Sequence, residues 1–213
     1  MEDQTVSPMM WAVLAGMVGL LIAAAIASIA FNLRQHGKLV AQFRKLAEKF
    51  DLELTIPEAT MGGLYRRSPT LYGRSNGHEM SIFAKGYGLD NTRQTDTAVR
   101  VSTRANPAFQ FTLAPRNFSG KLGQLGRLKE TPTGDRAFDE KYSLRSSDPD
   151  AAKALFNEAC RARIAQTWPP VEAFLSLHDG ILMFLRFGLP YDDTAREQVA
   201  QMAEFAVVLS EDL

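Results

Sequence analysis

The sequence predicts an α+β protein, in which one N-terminal transmembrane helix carries a cytoplasmic domain of helices packed on an antiparallel sheet of about six to eight strands. Three observations predict it. An uninterrupted apolar run lies near the N-terminus, several later segments alternate apolar and polar residues around Asn-Gly and Asp-Gly pairs, and the C-terminal third carries helical apolar spacing.

The apolar run extends from Met9 to Phe31, and Ser28 is its only polar side chain. At 1.5 Å per residue it reaches roughly 34 Å, enough for a hydrocarbon core of about 30 Å. A cleaved secretory signal is the rival reading, with Ala25-Ile26-Ala27 as a small-x-small site. Such a signal wants a basic leading region, and MEDQTVSP has no Lys or Arg. An uncleaved anchor is therefore expected. Glu2 and Asp3 precede the run, while Arg34, Lys38, Arg44 and Lys45 follow it, so the positive-inside rule places the tail outside and the domain in the cytoplasm. Ala15, Gly19, Ala23 and Ala27 recur every four residues and form a stripe of small side chains, the kind that lets helices approach closely in lipid. An alanine-rich anchor also yields such a stripe by chance.

Leu39, Phe43, Leu46 and Phe50 fall at helical spacing, so a second, amphipathic helix is expected, with Gly37 as a candidate break before it. Its apolar stripe reads as domain core, and a helix lying along the membrane surface is the alternative. Alternation then marks strands at Leu52–Ile56, on both sides of Asn76-Gly77, at TDTAVRVSTR and at AFQFTL. FSGKLGQLGRLKETPTGD has no sustained period and reads as loop. A short irregular helix is the alternative there, and its GQLGRL lacks the Gly-Lys-Ser/Thr ending of a phosphate-binding loop.

After the turn at Thr133-Gly134, parity places Phe138, Tyr142 and Leu144 on one side of a strand running from Arg136 and Asp139 on its solvent side. Asp148 and Pro149 then start a helix expected to run to Trp168, with Phe156, Cys160, Ile164 and Trp168 on its apolar face. FLSLHDGILMFLRFG is a hairpin turning at Asp179-Gly180, and Ala195, Val199, Met202, Ala206 and Leu209 line a closing helix over 193–210.

The organisation expected is a short extracytoplasmic tail (1–8), a transmembrane helix (9–31), a juxtamembrane amphipathic helix (32–50) and a cytoplasmic α+β domain (51–213). With 24 basic and 24 acidic side chains the chain is no polycation, and nucleic acid is not an expected partner. Charge is nevertheless uneven: residues 61–145 carry a net +7 and residues 146–213 a net −6. The two segments either complement each other inside the fold or leave a basic face for anionic headgroups. Cys160 is the sole cysteine and His36, His78 and His178 are far apart, so neither a disulfide framework nor a metal centre is expected, and no cofactor.

Asp135, Asp139 and His178 are the only residues that nominate themselves for acid/base chemistry. The stretch TGDRAFDEKYSLRSSDPDAAKALF, followed by helix, hairpin and helix, resembles a module of uncharacterised bacterial single-pass membrane-anchored proteins with a Gly-Asp-x-x-Phe-Asp pattern. Gly134, Asp135, Phe138 and Asp139 carry the match, and the resemblance extends over residues 60–210. It implies a fold position for the motif and no reaction. The function expected is a non-enzymatic accessory or scaffold subunit of a bacterial inner-membrane complex, with other integral membrane subunits and the bilayer as partners. The alternative is a tethered lipid- or ligand-binding module using the basic 61–145 region. Candidate contact residues are Ala15, Gly19, Ala23 and Ala27 for helix packing, and Arg34, Lys38, Arg44, Lys45, Arg66 and Arg67 for the membrane surface or a partner.

Overall fold

A single unbroken helix, α1 (Pro8–Phe50), opens the chain in the computed structural model, which describes residues 8–60, 63, 66–87, 94–116, 128–168 and 173–213. The expected break at Gly37 is absent. One glycine costs a helix only about 1 kcal/mol relative to alanine, and Leu39, Phe43 and Leu46, all buried, hold the following turns in place. Leu52 begins the reversal at Asp51 (φ 53°), where its N–H donates to the Ala47 carbonyl.

Nine strands follow among the described residues, one more than the upper expectation: β1 (Glu53–Thr55), β2 (Thr70–Ser75), β3 (His78–Tyr87), β4 (Gln94–Ser102), β5 (Phe111–Pro115), β6 (Lys129–Glu130), β7 (Tyr142–Ser146), β8 (Ala173–His178) and β9 (Ile181–Arg186). They form one sheet in the order β1-β2-β3-β4-β9-β8-β5-β7-β6, with every neighbouring pair antiparallel. The extra strand is β6, an edge pair in the later part of the segment expected to be loop; residues 118–127 of that segment lie outside the described residues. Asn76 and Gly77 (φ 51° and 82°), like Asp179 and Gly180 (φ 50° and 70°), turn in the left-handed region that a two-residue hairpin requires.

Register explains the core. One row across the sheet reads Met80, Val101, Leu182, Leu177, Phe111, and the next reads Ile82, Val99, Phe184, Leu175, Leu113, Leu144. All of these side chains are buried, because strand parity turns both rows to the same face. Four helices follow α1 among the described residues: α2 (Arg136–Lys141), α3 (Pro149–Leu155), α4 (Glu158–Thr167) and α5 (Asp193–Glu211). The long α5 packs on β4 and β9, and α1 packs on α5, β1 and β2. Val199, Met202, Ala206 and Leu209 of α5 join Leu39, Phe43, Leu46 and Phe50 of α1 in one apolar cluster with the sheet rows.

Two local expectations are overturned. Residues 136–141 are helix α2, not strand, because Asp135 caps it: the Asp135 carboxylate accepts from the Phe138 N–H at 3.2 Å. Phe138 and Tyr142 stand four apart and fall on one side in either conformation, so alternation could not distinguish them. The helix expected over 149–168 is two helices. Asn157 caps α4 by accepting from the Cys160 N–H at 3.0 Å, and Arg161 donates to the Phe156 carbonyl at 2.8 Å that the interruption frees.

Candidate membrane-proximal site

The first half of α1 stands clear of the domain core from Trp11 to Leu33, all exposed. Its most apolar window has no buried residue, and it is the one described helix long and apolar enough to cross a membrane. Trp11 stands 62% exposed near one end and Leu33 is 41% exposed at the other. About 34 Å of helix separates Trp11 from Arg34, so an aromatic and a cation bracket a length that would match a bilayer. Ala15, Gly19, Ala23 and Ala27 are all exposed, and a Cβ built on Gly19 would meet no atom within 4 Å.

Burial begins abruptly after Leu33. Gln35 and His36 are half-buried and Leu39 is 3% exposed, so the domain starts within about two turns of the apolar run. His36 fixes what lies beside it: its Nε2–H donates to the Arg67 carbonyl at 3.1 Å. Arg66 and Arg67 are thereby held level with Arg34 and Lys38, and all four side chains are exposed. Gln35 Oε1 is buried nearby without a hydrogen-bond partner among the described residues.

The structure separates the other two cations from this group. Lys45 donates to Asp193 of α5 at 2.8 Å, and that bond is the main reason the Asp193 carboxyl is held below its usual range. One turn on, Lys49 lies 2.9 Å from Glu204 and 3.4 Å from Glu197, and its hydrogen bond to Glu204 leads in raising its pKa. Lys45 thus has a partner within the protein, in an ion pair on the domain surface whose two side chains both stay exposed. Arg44 is exposed but lies about 15 Å along the helix from Arg34. Sequence reasoning missed both ion pairs, although their signal was present: Lys45 and Lys49 are four apart, as are Asp193 and Glu197.

The acid/base nominees are engaged elsewhere. Asp139, expected on the solvent side of a strand, accepts from the Thr133 N–H (3.0 Å), the Thr133 hydroxyl (2.9 Å) and the Gly134 N–H (3.1 Å). Its carboxylate locks the turn before α2. Asp135 caps that helix and lies 3.2 Å from Arg161 Nε; the Phe138 N–H first, then Arg161, hold its carboxyl below the usual range. An open cleft of about 490 Å³ lies beside them, lined by Arg116, Gly134, Arg136, Asp139 and Glu140. His178 sits at the β8–β9 turn, where its Nδ1 is 2.9 Å from Asp179, and no contact joins it to Asp135 or Asp139 among the described residues. Burial pushes the Cys160 thiol up to about 11, away from the thiolate that a nucleophile needs. Among the described residues no group of three or more His, Cys, Asp or Glu is placed to hold a metal ion.

One polar cluster had no sequence signal. Asp96, at 1% exposure, accepts from the Gly188 N–H at 3.4 Å, the Thr97 hydroxyl donates to the Gly188 carbonyl, and Arg186 donates to Gln198 at 3.1 Å. Burial raises the Asp96 carboxyl and lowers the Arg186 guanidinium. The group pins the 187–188 bend to the sheet, a structural use of buried polarity.

No protein-family model matches the chain, and sequence comparison with characterised proteins gives no match either. Among solved structures, the crystal structure of the mycobacterial trehalose monomycolate transport factor A, TtfA, superposes with a TM-score of 0.51 at 9% identity, over 78% of this chain and 93% of that chain. At that identity the likeness is one of fold.

Proposed function

We propose that this chain is a non-enzymatic accessory subunit of a bacterial inner-membrane protein complex, anchored by a single transmembrane helix. Residues 9–31 cross the bilayer, residues 1–8 lie outside, and the domain of residues 51–213 lies in the cytoplasm. The observation that carries the proposal is the continuity of α1, which passes without a break from an exposed apolar half into the domain core. Such a helix fixes a folded domain directly against a membrane. The fold shared with TtfA, itself named a transport factor, supports an accessory role. So does the engagement of Asp135 and Asp139 in capping and turn-locking, which leaves neither free for proton transfer.

The exposed Ala15, Gly19, Ala23 and Ala27 offer a face on which a partner helix can approach closely. Affinity purification from native membranes in mild detergent tests the proposal. Stoichiometric integral membrane partners are expected, lost with Gly19→Leu and Ala23→Leu and retained with Val18→Leu. Recovery of the chain alone at every detergent strength would refute an accessory role.

A further inference from the structure

We infer that Arg34, Lys38, Arg66 and Arg67 form a basic collar that binds the phosphates of anionic phospholipids on the domain side of the bilayer. The inference rests on the membrane-spanning reading of α1 and adds the lipid class that the domain engages. Its ground is the way the chain returns to one level. From His36 to Phe50, α1 runs about 21 Å into the domain at 1.5 Å per residue. Asp51 (φ 53°) then reverses the chain into β1, and shortly before β2 the Arg67 carbonyl lies level with His36, accepting from it at 3.1 Å. Two cations distant in sequence are thereby brought to the depth of two that flank the apolar run, across the helix from them, since His36 is two residues from both Arg34 and Lys38.

Arg34 and Lys38 are four apart and share a helix face, and they lie about 4.5 and 10 Å past Phe31, the depth of a headgroup layer. None of the four side chains has an ion-pair or hydrogen-bond partner among the described residues. Farther along the same helix the pattern reverses, because Lys45 and Lys49 are matched to Asp193, Glu197 and Glu204. Cations are neutralised within the protein where they face α5 and left unmatched where they face the bilayer plane. Glu58, exposed after β1 and also without an ion pair among the described residues, is the acidic residue between β1 and β2. Three of the four collar residues are arginines, whose planar fork matches two phosphate oxygens at once.

The test uses the full chain reconstituted into phosphatidylcholine vesicles containing phosphatidylglycerol, with electron spin resonance of spin-labelled forms of each lipid reporting relative association. Each cation near an anionic surface contributes about fivefold, so a several-fold preference for phosphatidylglycerol is expected at low salt. Combined Arg34→Gln, Lys38→Gln, Arg66→Gln and Arg67→Gln should bring the ratio close to one. Arg44→Gln should retain the preference, and the set Arg34→Lys, Arg66→Lys and Arg67→Lys should lower it only in part, because lysine keeps the charge and loses the fork. Millimolar inorganic phosphate at constant ionic strength should leave it unchanged; its abolition would mark a soluble anion as the ligand and overturn the inference. A preference that survives the four glutamines overturns it equally, as does equal association of both lipids with the native chain. Vesicle flotation separates the two levels. A chain that floats and resists alkaline extraction without lipid preference refutes the collar alone, whereas one that fails to float refutes the membrane-spanning reading, and the collar with it.

Discussion

Replacing Asp139 by asparagine tests whether the carboxylate locks the turn at 133–134. Its two oxygens receive three hydrogen bonds, two from Thr133 and one from the Gly134 N–H. Asparagine keeps one carbonyl oxygen for the Thr133 pair but turns an NH₂ toward the Gly134 N–H, so one bond becomes two donors facing each other. Hydrogen bonds to a charged group contribute about 1.5–3 kcal/mol when buried, and this site is half-buried. The expected cost is therefore about 1–2 kcal/mol for Asp139→Asn and about 2–3 kcal/mol for Asp139→Ala. A solvent-facing strand residue would cost no more than about 0.5 kcal/mol. Urea unfolding of the full chain in detergent provides the assay, with Trp168 fluorescence as probe in a Trp11→Phe background. Trp168 stacks within 5.3 Å of Tyr142 and 4.9 Å of Phe184, so it reports the packing that α2 supports. A double-mutant cycle with Thr133→Val should give a coupling of about 0.5 kcal/mol or more. Asp139→Asn within about 0.5 kcal/mol of native, with no coupling to Thr133, would refute the turn lock.

Three further outcomes follow from the same structure. Because burial raises the folded-state pKa of Asp96, stability should fall as pH rises from the unfolded value of about 3.9 through the folded one, and Asp96→Asn should be neutral or stabilising at pH 7 and flatten that slope in urea titrations from pH 4 to 8. Asp135 has the opposite sign: its lowered pKa contributes stability above about pH 3.9 that is lost as pH falls through the folded value, and Asp135→Asn should remove that acid-side loss. A reporter active only outside the cytoplasm, fused after Leu213, should be silent; strong activity would reverse the proposed orientation.

Legibility in the sequence followed the range of each signal. Hairpins were readable because Asn76-Gly77 and Asp179-Gly180 encode their own backbone geometry within two residues. The buried stripes of α1 and α5 were readable because one helical period repeats over several turns. Short elements were not. The six residues of α2 are too few for periodicity, and only the Asp135 cap distinguishes them from a strand. The cap at Asn157 was likewise masked by an apolar spacing of four that continues across the interruption, since Phe156 and Ile164 are both buried. The candidate site was half legible. Arg34 and Lys38 follow from the flank of the apolar run, but the placement of Arg66 and Arg67 depends on a contact with His36 that bridges 31 residues. No local pattern encodes such a contact. Complementary spacing on α1 and α5 was visible as charge, yet nothing in one sequence states which helix faces which.

Alkaline carbonate extraction of membranes containing the native chain tests whether α1 is an anchor continuous with the domain. The helix has an exposed apolar half and a buried amphipathic half with no break between them. The chain should therefore remain in the membrane pellet at alkaline pH and leave it only with detergent. Release of the intact chain into the carbonate supernatant would contradict the anchor.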